Sequence, residues 1–388
     1  MRPAQRVASI PPYFFASLAK RLTAISAKGV DVIRMDMGAP DLPPAPHIIR
    51  ALAEAAARPN AHSYTPFGGT PGFREAVAGF YRTRFEVDLD PNTEVLGLIG
   101  SKEGIFHLIQ SYLEPGDITL VPDPSYPVYS AATTISGGEV VWMPLTKERG
   151  FLPDFDAIPA DRLARAKVLC LNYPNNPTGA TADHAFFRRA VEFAKSHDLL
   201  LLHDAAYTEV AFDAFRPPSL LEVEGAKDVA VEFHTLSKTY NMAGWRLGMA
   251  VGNAEAIDAL YVLKSQIDTS HFLPIQEAGV AALTGDQAWT QERNGVYRQR
   301  RDAVLEGARR IGMQADTPRA AMYVWAGLPA GEASSTQFCD RLLEATGVSV
   351  TPGTAFGTGG EGFVRFSLAT PVERIREAMG RMIKWRGP

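Results

Sequence analysis

One segment of the sequence, residues 231–252, groups side chains that can do chemistry together. Lys238 follows an apolar, β-prone run that ends near Thr235, and Arg246 stands at the start of a second β-prone run. A lysine whose pKa is lowered can attack a carbonyl carbon as a free amine. A guanidinium binds phosphate through two parallel hydrogen bonds, and the hydroxyls of Thr235 and Ser237 add neutral donors. The segment therefore predicts a lysine that binds a carbonyl compound covalently beside a phosphate group.

The run SKTYNMAGWRLG within this segment resembles the lysine signature of the class I and II aminotransferases of fold type I, which use pyridoxal 5'-phosphate. The lysine, the glycines and the arginine all match in spacing, and the resemblance continues over nearly the whole chain. HDAAYTEVAFD and HTLSKTYNMAGWR are most similar to runs of bacterial glutamate:pyruvate (alanine) aminotransferases, and LL-diaminopimelate aminotransferases share this signature. The resemblance implies that Lys238 holds the cofactor as a Schiff base and moves the proton during catalysis.

The same resemblance implies roles for residues around the cofactor ring. Asp204 ends a four-leucine run, where an unpaired carboxylate would be costly to bury, and it is implied to pair with the pyridinium nitrogen. Asn176 and Tyr207 are implied to donate to the phenolic oxygen, and Asn176 also faces the substrate. Tyr126, held in a proline-rich turn, is implied to stack on the pyridine ring. Without the family, Asp204 can be explained as a helix cap and Tyr126 as a core tyrosine.

A glycine turn between a strand and a helix provides a second phosphate-binding element. Ser101, Lys102 and Glu103 are the first residues of the predicted helix, so their N–H groups are free at the positive end of its dipole. Such a turn is a weak motif alone, but it stands where the family binds the cofactor phosphate. Tyr64, in HSYTPFGGTPG, is implied to reach the phosphate of the neighbouring subunit, which predicts a homodimer with shared active sites.

Substrate-binding residues are also implied by the resemblance. Arg365 in FVRFSLA is implied to bind the substrate α-carboxylate, and the alternative is a surface arginine on an edge strand. Gly38 in MGAPDLPPAP is implied to offer backbone to the carboxylate, although such a loop can also be a plain linker. We expect the residues that bind the substrate side chain to be Tyr13, Tyr129 and the loop 266–272, the loop coming from the same or from the other subunit.

These residues predict amino-group transfer between an L-amino acid and a 2-oxo acid, a reaction of amino-acid metabolism. Residues 266–272 contain amide, hydroxyl and imidazole groups but no arginine. We therefore expect alanine and glutamate as donors and pyruvate or 2-oxoglutarate as acceptors. An LL-diaminopimelate or aspartate aminotransferase is the alternative, and a β-lyase on the same fold also stays open. A regulatory protein of this fold is disfavoured because we find no basic N-terminal domain.

Strand-like and helix-like segments alternate through the first two thirds of the chain, which predicts an α/β fold with a mostly parallel sheet flanked by helices. After about residue 280 the pattern becomes α+β. We expect an N-terminal arm and part of a small domain in 1–44, a large cofactor-binding domain in 45–280 and a small domain in 281–388. The prolines Pro11 and Pro12 are expected to prevent a helix from starting before about Tyr13.

The composition of the 388 residues is that of an ordinary globular protein, with 46% hydrophobic and 21% charged residues. A net charge of -4 provides no broad attraction to nucleic acid or an anionic membrane. Cys170 and Cys339 are too few for a disulfide framework, and we find neither a metal-binding pattern nor a secretory signal. We expect a cytoplasmic protein without a metal.

Overall fold

The computed structural model describes residues 1–2, 5–8, 10 and 12–386. A long helix begins at Phe14, as predicted, although Pro11 lies outside the described residues. A short helix, Gln5–Ala8, nevertheless precedes the proline pair. A proline restricts itself and the residue before it, so a single turn that ends at Ala8 is not affected.

The helices vary widely in length, and none in the described part of the chain is both long and apolar enough to cross a membrane. In chain order they are α1 (Gln5–Ala8), α2 (Phe14–Ser26), α3 (Pro46–Ala56), α4 (Pro71–Phe85), α5 (Ser101–Tyr112), α6 (Val128–Ile135), α7 (Ala160–Leu163), α8 (His184–Ser196), α9 (Leu236–Thr239), α10 (Ala254–Ser265), α11 (Leu273–Thr284), α12 (Ala288–Arg310), α13 (Ser335–Thr346) and α14 (Val372–Arg386). Helix α4 begins inside the segment HSYTPFGGTPG, whose glycines and prolines indicate a loop in the sequence. Its signal was present, since Thr70 caps the helix by accepting from Phe73 N–H and Pro71 follows directly.

The strands form three sheets. They are β1 (Ile33–Arg34), β2 (Val95–Leu98), β3 (Ile118–Asp123), β4 (Glu139–Pro144), β5 (Ala166–Asn172), β6 (Leu200–Asp204), β7 (Ala230–Thr235), β8 (Gly248–Gly252), β9 (Gln314–Ala315), β10 (Tyr323–Gly327), β11 (Val348–Ser349), β12 (Thr351–Pro352) and β13 (Phe363–Ser367). The strands β9, β11 and β12 were not predicted, because two residues cannot show a periodic pattern.

The large sheet has the order β2-β8-β7-β6-β5-β3-β4 and is parallel except for β8, which is antiparallel to both neighbours. This confirms the predicted α/β fold with a mostly parallel sheet. Alternate residues of β5 and β6 enter two different cores: Leu169 and Leu201 pack in one, Val168 and Leu202 in the other. A sheet covered on both faces requires apolar residues at every position, which explains the continuous apolar runs.

The C-terminal part contains a four-stranded antiparallel sheet of order β12-β13-β10-β9. A separate core lies against it, and β1 from the N-terminal part joins this core by pairing in parallel with β11. Ile33 and Met35 accordingly pack with Val348 and Phe366. This packing is in line with an N-terminal segment that belongs to the small domain, but the domain boundaries themselves stay a prediction.

The register of the large sheet brings distant residues together at one edge. Asn172 at the end of β5 lies beside Asp204 at the end of β6, and Asp204 lies beside Phe233 near the end of β7. Helix α9, which contains Lys238, follows β7 directly. Since the carboxyl ends of parallel strands open onto the same crevice, the asparagine, the aspartate and the lysine face one space.

Candidate active site

A cavity of about 320 Å³ lies at the carboxyl ends of these strands. Most of the predicted site residues line it, namely Tyr13, Gly38, Ser101, Lys102, Tyr126, Asn176, Asp204, Tyr207, Thr235, Ser237, Lys238, Arg246 and Arg365. Glu103 and Tyr64 are not among the lining residues. The chain thus brings residues from its N-terminal part, its large sheet and its C-terminal sheet to one site.

Lys238 extends from the single-turn helix α9 into this cavity, where its ammonium donates to the carbonyl oxygen of Gly38. Burial of the amine lowers the pKa of Lys238 to about 8, with further lowering by the positive charges of Arg365 and Arg246 and an opposing effect of Asp204. The amine therefore loses its proton more readily than an ordinary lysine does, as a nucleophile toward a carbonyl carbon requires.

One corner of the cavity gathers the donors that can hold a phosphate. Arg246 lies at a positive φ of 59°, and its Nη1 donates to Ala243 O at 2.8 Å and to Ser237 Oγ at 3.4 Å. Ser101 begins helix α5 beside it, so free N–H groups face the same space. Gly100 has a φ of 76°, and a Cβ at this residue would collide with the Arg246 guanidinium.

Lys102 contributes more than the backbone N–H that the sequence predicted. Its Nζ lies 4.6 Å from the ring centroid of Tyr13 and 5.8 Å from that of Tyr126. Burial lowers the pKa of Lys102, and the charge of Arg246 lowers it further. Among the described residues no carboxylate forms an ion pair with this ammonium. A cation on the cavity wall is therefore available to an anionic ligand.

Asp204 is almost fully buried, at 4% exposure, and lies at the far wall of the cavity. Its Oδ2 accepts from the hydroxyl of Tyr129 at 2.8 Å and its Oδ1 from Ala206 N–H at 3.2 Å. Burial raises the pKa of Asp204, while the Tyr129 hydrogen bond opposes the rise. The prediction that Tyr129 reads the substrate side chain is wrong, because its fully buried hydroxyl is committed to Asp204.

Two residues that no motif predicted complete the walls. Tyr323 on β10 forms a hydroxyl–hydroxyl hydrogen bond of 2.7 Å with Tyr207, and a Cβ at residue 38 would collide with its oxygen. Gly38 is therefore a close-approach glycine rather than a plain linker residue. Asn172 donates to Asp204 O at 2.7 Å and accepts from Asn176 N–H at 2.8 Å. The Asn176–Pro177 bond is cis.

Arg365 is buried at 2% exposure on β13, an interior strand of its sheet, so the alternative of a surface arginine on an edge strand is wrong. Its Nη1 donates to Asn176 Oδ1 at 2.8 Å and its Nη2 to Asp36 O at 2.7 Å. The guanidinium lies 4.1 Å from the ring centroid of Tyr323 and 4.6 Å from that of Phe356. Its Nε has no partner among the described residues. The Arg365 guanidinium is therefore held in place and can donate to a carboxylate in a fixed orientation.

The remaining predicted residues lie elsewhere. The Glu103 carboxylate accepts from Ile99 N–H at 3.0 Å and pairs with Lys264 at 3.3 Å. It therefore stabilises the turn between β2 and α5 without lining the cavity. His271 of the loop 266–272 donates to the carbonyl of Arg246, and none of this loop lines the cavity. It therefore does not contact a substrate in the same chain. Tyr64 is 90% exposed and lies with His271 at a separate cavity.

The donor set fits pyridoxal 5'-phosphate: a lysine with a lowered pKa, a buried carboxylate that could pair with a protonated ring nitrogen, and an arginine with a helix N-terminus that could hold a phosphate. The fold and the site define a pyridoxal-phosphate-dependent aminotransferase of fold type I. The chain belongs to the aminotransferase class I and II family, whose sequence profile matches residues 30–382.

Relatives resemble the chain over its whole length. It is 51% identical over 381 residues to the LL-diaminopimelate aminotransferase of Syntrophobacter fumaroxidans, covering 98% of each chain. It is 49% identical over 386 residues to the LL-diaminopimelate aminotransferase of Dehalococcoides mccartyi, covering 100% of this chain and 99% of the relative. A substrate-bound structure of BacF from Bacillus subtilis superposes with a TM-score of 0.97 at 41% identity, covering 100% of this chain and 98% of BacF.

Proposed function

We propose that the protein is an LL-diaminopimelate aminotransferase, which transfers an amino group from LL-diaminopimelate to a 2-oxo acid such as 2-oxoglutarate. Family membership establishes amino-group transfer, and the donor is the proposal. Relatives about half identical over nearly the whole chain have this name, which supports the alternative donor from the sequence. They offer no support for the expected alanine and glutamate type.

The observation that carries the proposal is the ammonium of Lys102 on the cavity wall. LL-diaminopimelate has a carboxylate and an ammonium at its far end, in addition to the groups at the reacting carbon. Arg365 and Lys102 line the same cavity and offer one cation for each carboxylate. Alanine has no second carboxylate, so it would offer Lys102 no partner from the substrate.

In the proposed reaction each residue acts at a defined atom. Arg365, held by Asn176, binds the substrate α-carboxylate. Lys238 Nζ removes the proton from the substrate Cα and delivers it again in the second half-reaction. With the cofactor bound, Asp204 would pair with the ring nitrogen and keep it protonated, and Tyr207 would donate to the phenolic oxygen. The bound cofactor supplies the carbonyl carbon that accepts the amino group and the ring that withdraws electrons.

We propose, in addition, that two chains form a homodimer with shared sites. Tyr64 and its neighbour Phe67 are exposed, and so are Ile267 and Phe272 of the loop 266–272. Tyr64 and Phe272 line one cavity, and Phe67 and Ile267 are close to them in sequence. Exposed apolar side chains grouped in this way are typical of a protein–protein contact. Tyr64 would then reach the cofactor phosphate of the partner subunit.

The donor is tested with the purified enzyme loaded with cofactor, by measuring kcat/KM for LL-diaminopimelate, alanine and aspartate with 2-oxoglutarate as acceptor, and for glutamate with pyruvate as acceptor. We expect LL-diaminopimelate to exceed alanine by roughly tenfold or more, in line with one charge-assisted contact. Equal or faster turnover of alanine would instead favour the alanine and glutamate type.

A variant of Lys102 tests whether its ammonium binds the far carboxylate of the substrate. Lys102→Met removes the charge but keeps the backbone N–H, so we expect kcat/KM for LL-diaminopimelate to fall roughly 10- to 100-fold, equivalent to about 1.5–3 kcal/mol. Alanine turnover at saturating cofactor should stay as in the wild type. Lys20→Met, which removes an exposed ammonium from α2, is the matched control. An equal loss with both donors would contradict the role of Lys102.

A further inference from the structure

A buried arginine outside the cavity holds the backbone of the reacting lysine. Arg293 lies on α12 at 2% exposure. Its Nη1 donates to the carbonyl oxygens of Lys238 at 2.5 Å and Thr239 at 2.6 Å. Its Nη2 donates to the carbonyl oxygen of Glu209 at 2.7 Å. We call Arg293 and these three carbonyl groups the carbonyl clamp.

All five N–H donors of Arg293 are used, since Nε and Nη2 also donate to Asn294 Oδ1 at 3.2 and 2.8 Å. These acceptors are neutral, and no carboxylate in the described ranges pairs with the guanidinium. Burial lowers the pKa of Arg293 to about 10. A buried cation without a counter-ion is unfavourable unless its hydrogen bonds are complete. The hydrogen bonds to these oxygen atoms therefore stabilise the charge of Arg293.

Helix α9 needs such a partner because it is only four residues long. The last carbonyl groups of a helix find no N–H donor within the helix. Without Arg293, those of Lys238 and Thr239 would be buried and unpaired. The third carbonyl, that of Glu209, stands two residues after Tyr207. The carbonyl clamp therefore joins the two segments that place Lys238 and Tyr207 at the cavity.

We propose that Arg293 is a positioning residue of the amino-transfer reaction. The carbonyl clamp holds α9 against the segment after β6, so that Lys238 Nζ stays at the point where it exchanges a proton with the substrate. This rests on the proposed role of Lys238 and not on the identity of the donor. The wild-type donor screen tests the donor, whereas variants of Arg293 test the clamp.

The test compares Arg293→Met and Arg293→Lys with Arg301→Met in the cofactor-loaded enzyme. Arg301 is the matched control because it lies on the same helix and is only 4% exposed. It donates to Pro318 O and to the Asp213 carboxylate rather than to α9. We expect Arg293→Met to lower kcat on the order of 10²-fold, as a small displacement of a reacting group does, with KM little changed. Arg301→Met should lower the melting temperature without this loss of kcat.

A second measurement needs no cofactor. Competitive labelling of amines in the protein without added cofactor reports the pH at which Lys238 titrates, about 8 in the wild type. Loosening α9 admits water to the amine, so the midpoint should rise in Arg293→Met and stay unchanged in Arg301→Met. Arg293→Lys keeps the charge but offers three donors instead of five, and we expect intermediate values of both kcat and midpoint.

The outcomes separate a positioning role from a structural one. If the Arg293 variants melt earlier, as Arg301→Met does, but keep the wild-type kcat and lysine midpoint, the proposal is overturned. If Arg293→Met does not fold, Arg293→Lys decides: a wild-type kcat and midpoint with three donors would also overturn it. A reduced kcat together with a raised midpoint supports it.

Discussion

The environment of Lys238 makes its amine more reactive than that of a lysine exposed to water, because it lowers the pKa. Desolvation lowers its pKa most, and two guanidinium groups add to the effect. Asp204 acts in the opposite direction, so the lysine and the aspartate set each other's charge state across the cavity. A pair of groups with pKa values shifted in opposite senses is a mark of functional sites.

This pKa makes a prediction for cofactor capture. Only the free amine attacks a carbonyl carbon, so the rate at which the protein without cofactor captures pyridoxal 5'-phosphate should rise with pH through about 8 and then level off. Arg365→Leu removes a positive neighbour, so it should raise the pKa of Lys238 and shift this profile to higher pH. Stopped-flow measurement of the visible absorbance of the bound cofactor reports the rate.

The control for this experiment is Arg82→Leu, which removes an exposed arginine whose partner is Asp88 on the surface. Its profile should match that of the wild type. The interpretation of Lys238 fails if the rate of capture by the wild type does not change between pH 6 and pH 10, a range that spans about two units on each side of the expected midpoint.

At the scale of elements, the turn into α5 is built around the space that Gly100 leaves for Arg246. Every other residue type would bring a Cβ into the guanidinium and would strain a φ of 76°. Two separate requirements thus favour glycine at residue 100, the positive φ and the close approach of the guanidinium.

Gly100→Ala should therefore weaken cofactor binding beyond its effect on stability. Displacing Arg246 removes a charge-assisted contact of about 1.5–3 kcal/mol, so we expect the Kd for pyridoxal 5'-phosphate to rise roughly 10- to 100-fold. Gly29→Ala is the control, since Gly29 also has a positive φ, of 84°, but has open space around its Cβ position. Each substitution carries a backbone strain of about 1–3 kcal/mol. Equal cofactor affinity in the two variants would contradict the steric role of Gly100.

At the scale of the whole molecule, the proposed dimer predicts complementation between two defective chains. Tyr64→Phe removes one donor to the partner's phosphate and should weaken cofactor binding roughly 10-fold or more. Lys238→Ala should be inactive, because the lysine both binds the cofactor and moves the proton. In a hybrid of these two chains, the site with an intact Lys238 receives an intact Tyr64 from the other chain.

We therefore expect the active site of the hybrid to bind the cofactor with wild-type affinity, measured by titration of transaminase activity with pyridoxal 5'-phosphate. A hybrid of wild type and Lys238→Ala provides the reference. If Tyr64 acts within its own chain, the Tyr64→Phe hybrid keeps the weakened affinity of the Tyr64→Phe homodimer, and the shared site is disproved.

The class of fold and the grouping of most predicted site residues could be read from the sequence. Long apolar runs such as that before Asp204 predict buried strands, and Lys238, Thr235, Ser237 and Arg246 follow one another within a short stretch of chain. Local patterns of this kind are readable because the residues that act together are close in sequence. Asn176 and Asp204 are more distant in sequence and were predicted from the family resemblance, and both line one cavity with Lys238.

The side chains that support these residues are visible only in the folded structure. Tyr129 lies 75 residues from the Asp204 carboxylate that it contacts, and Tyr207 lies 116 residues from its partner Tyr323. The surface alternative for Arg365 is likewise excluded only by the position of β13 inside its sheet. Such contacts arise where sheets and helices pack, and packing depends on the shapes of whole elements rather than on the spacing of residues along one of them.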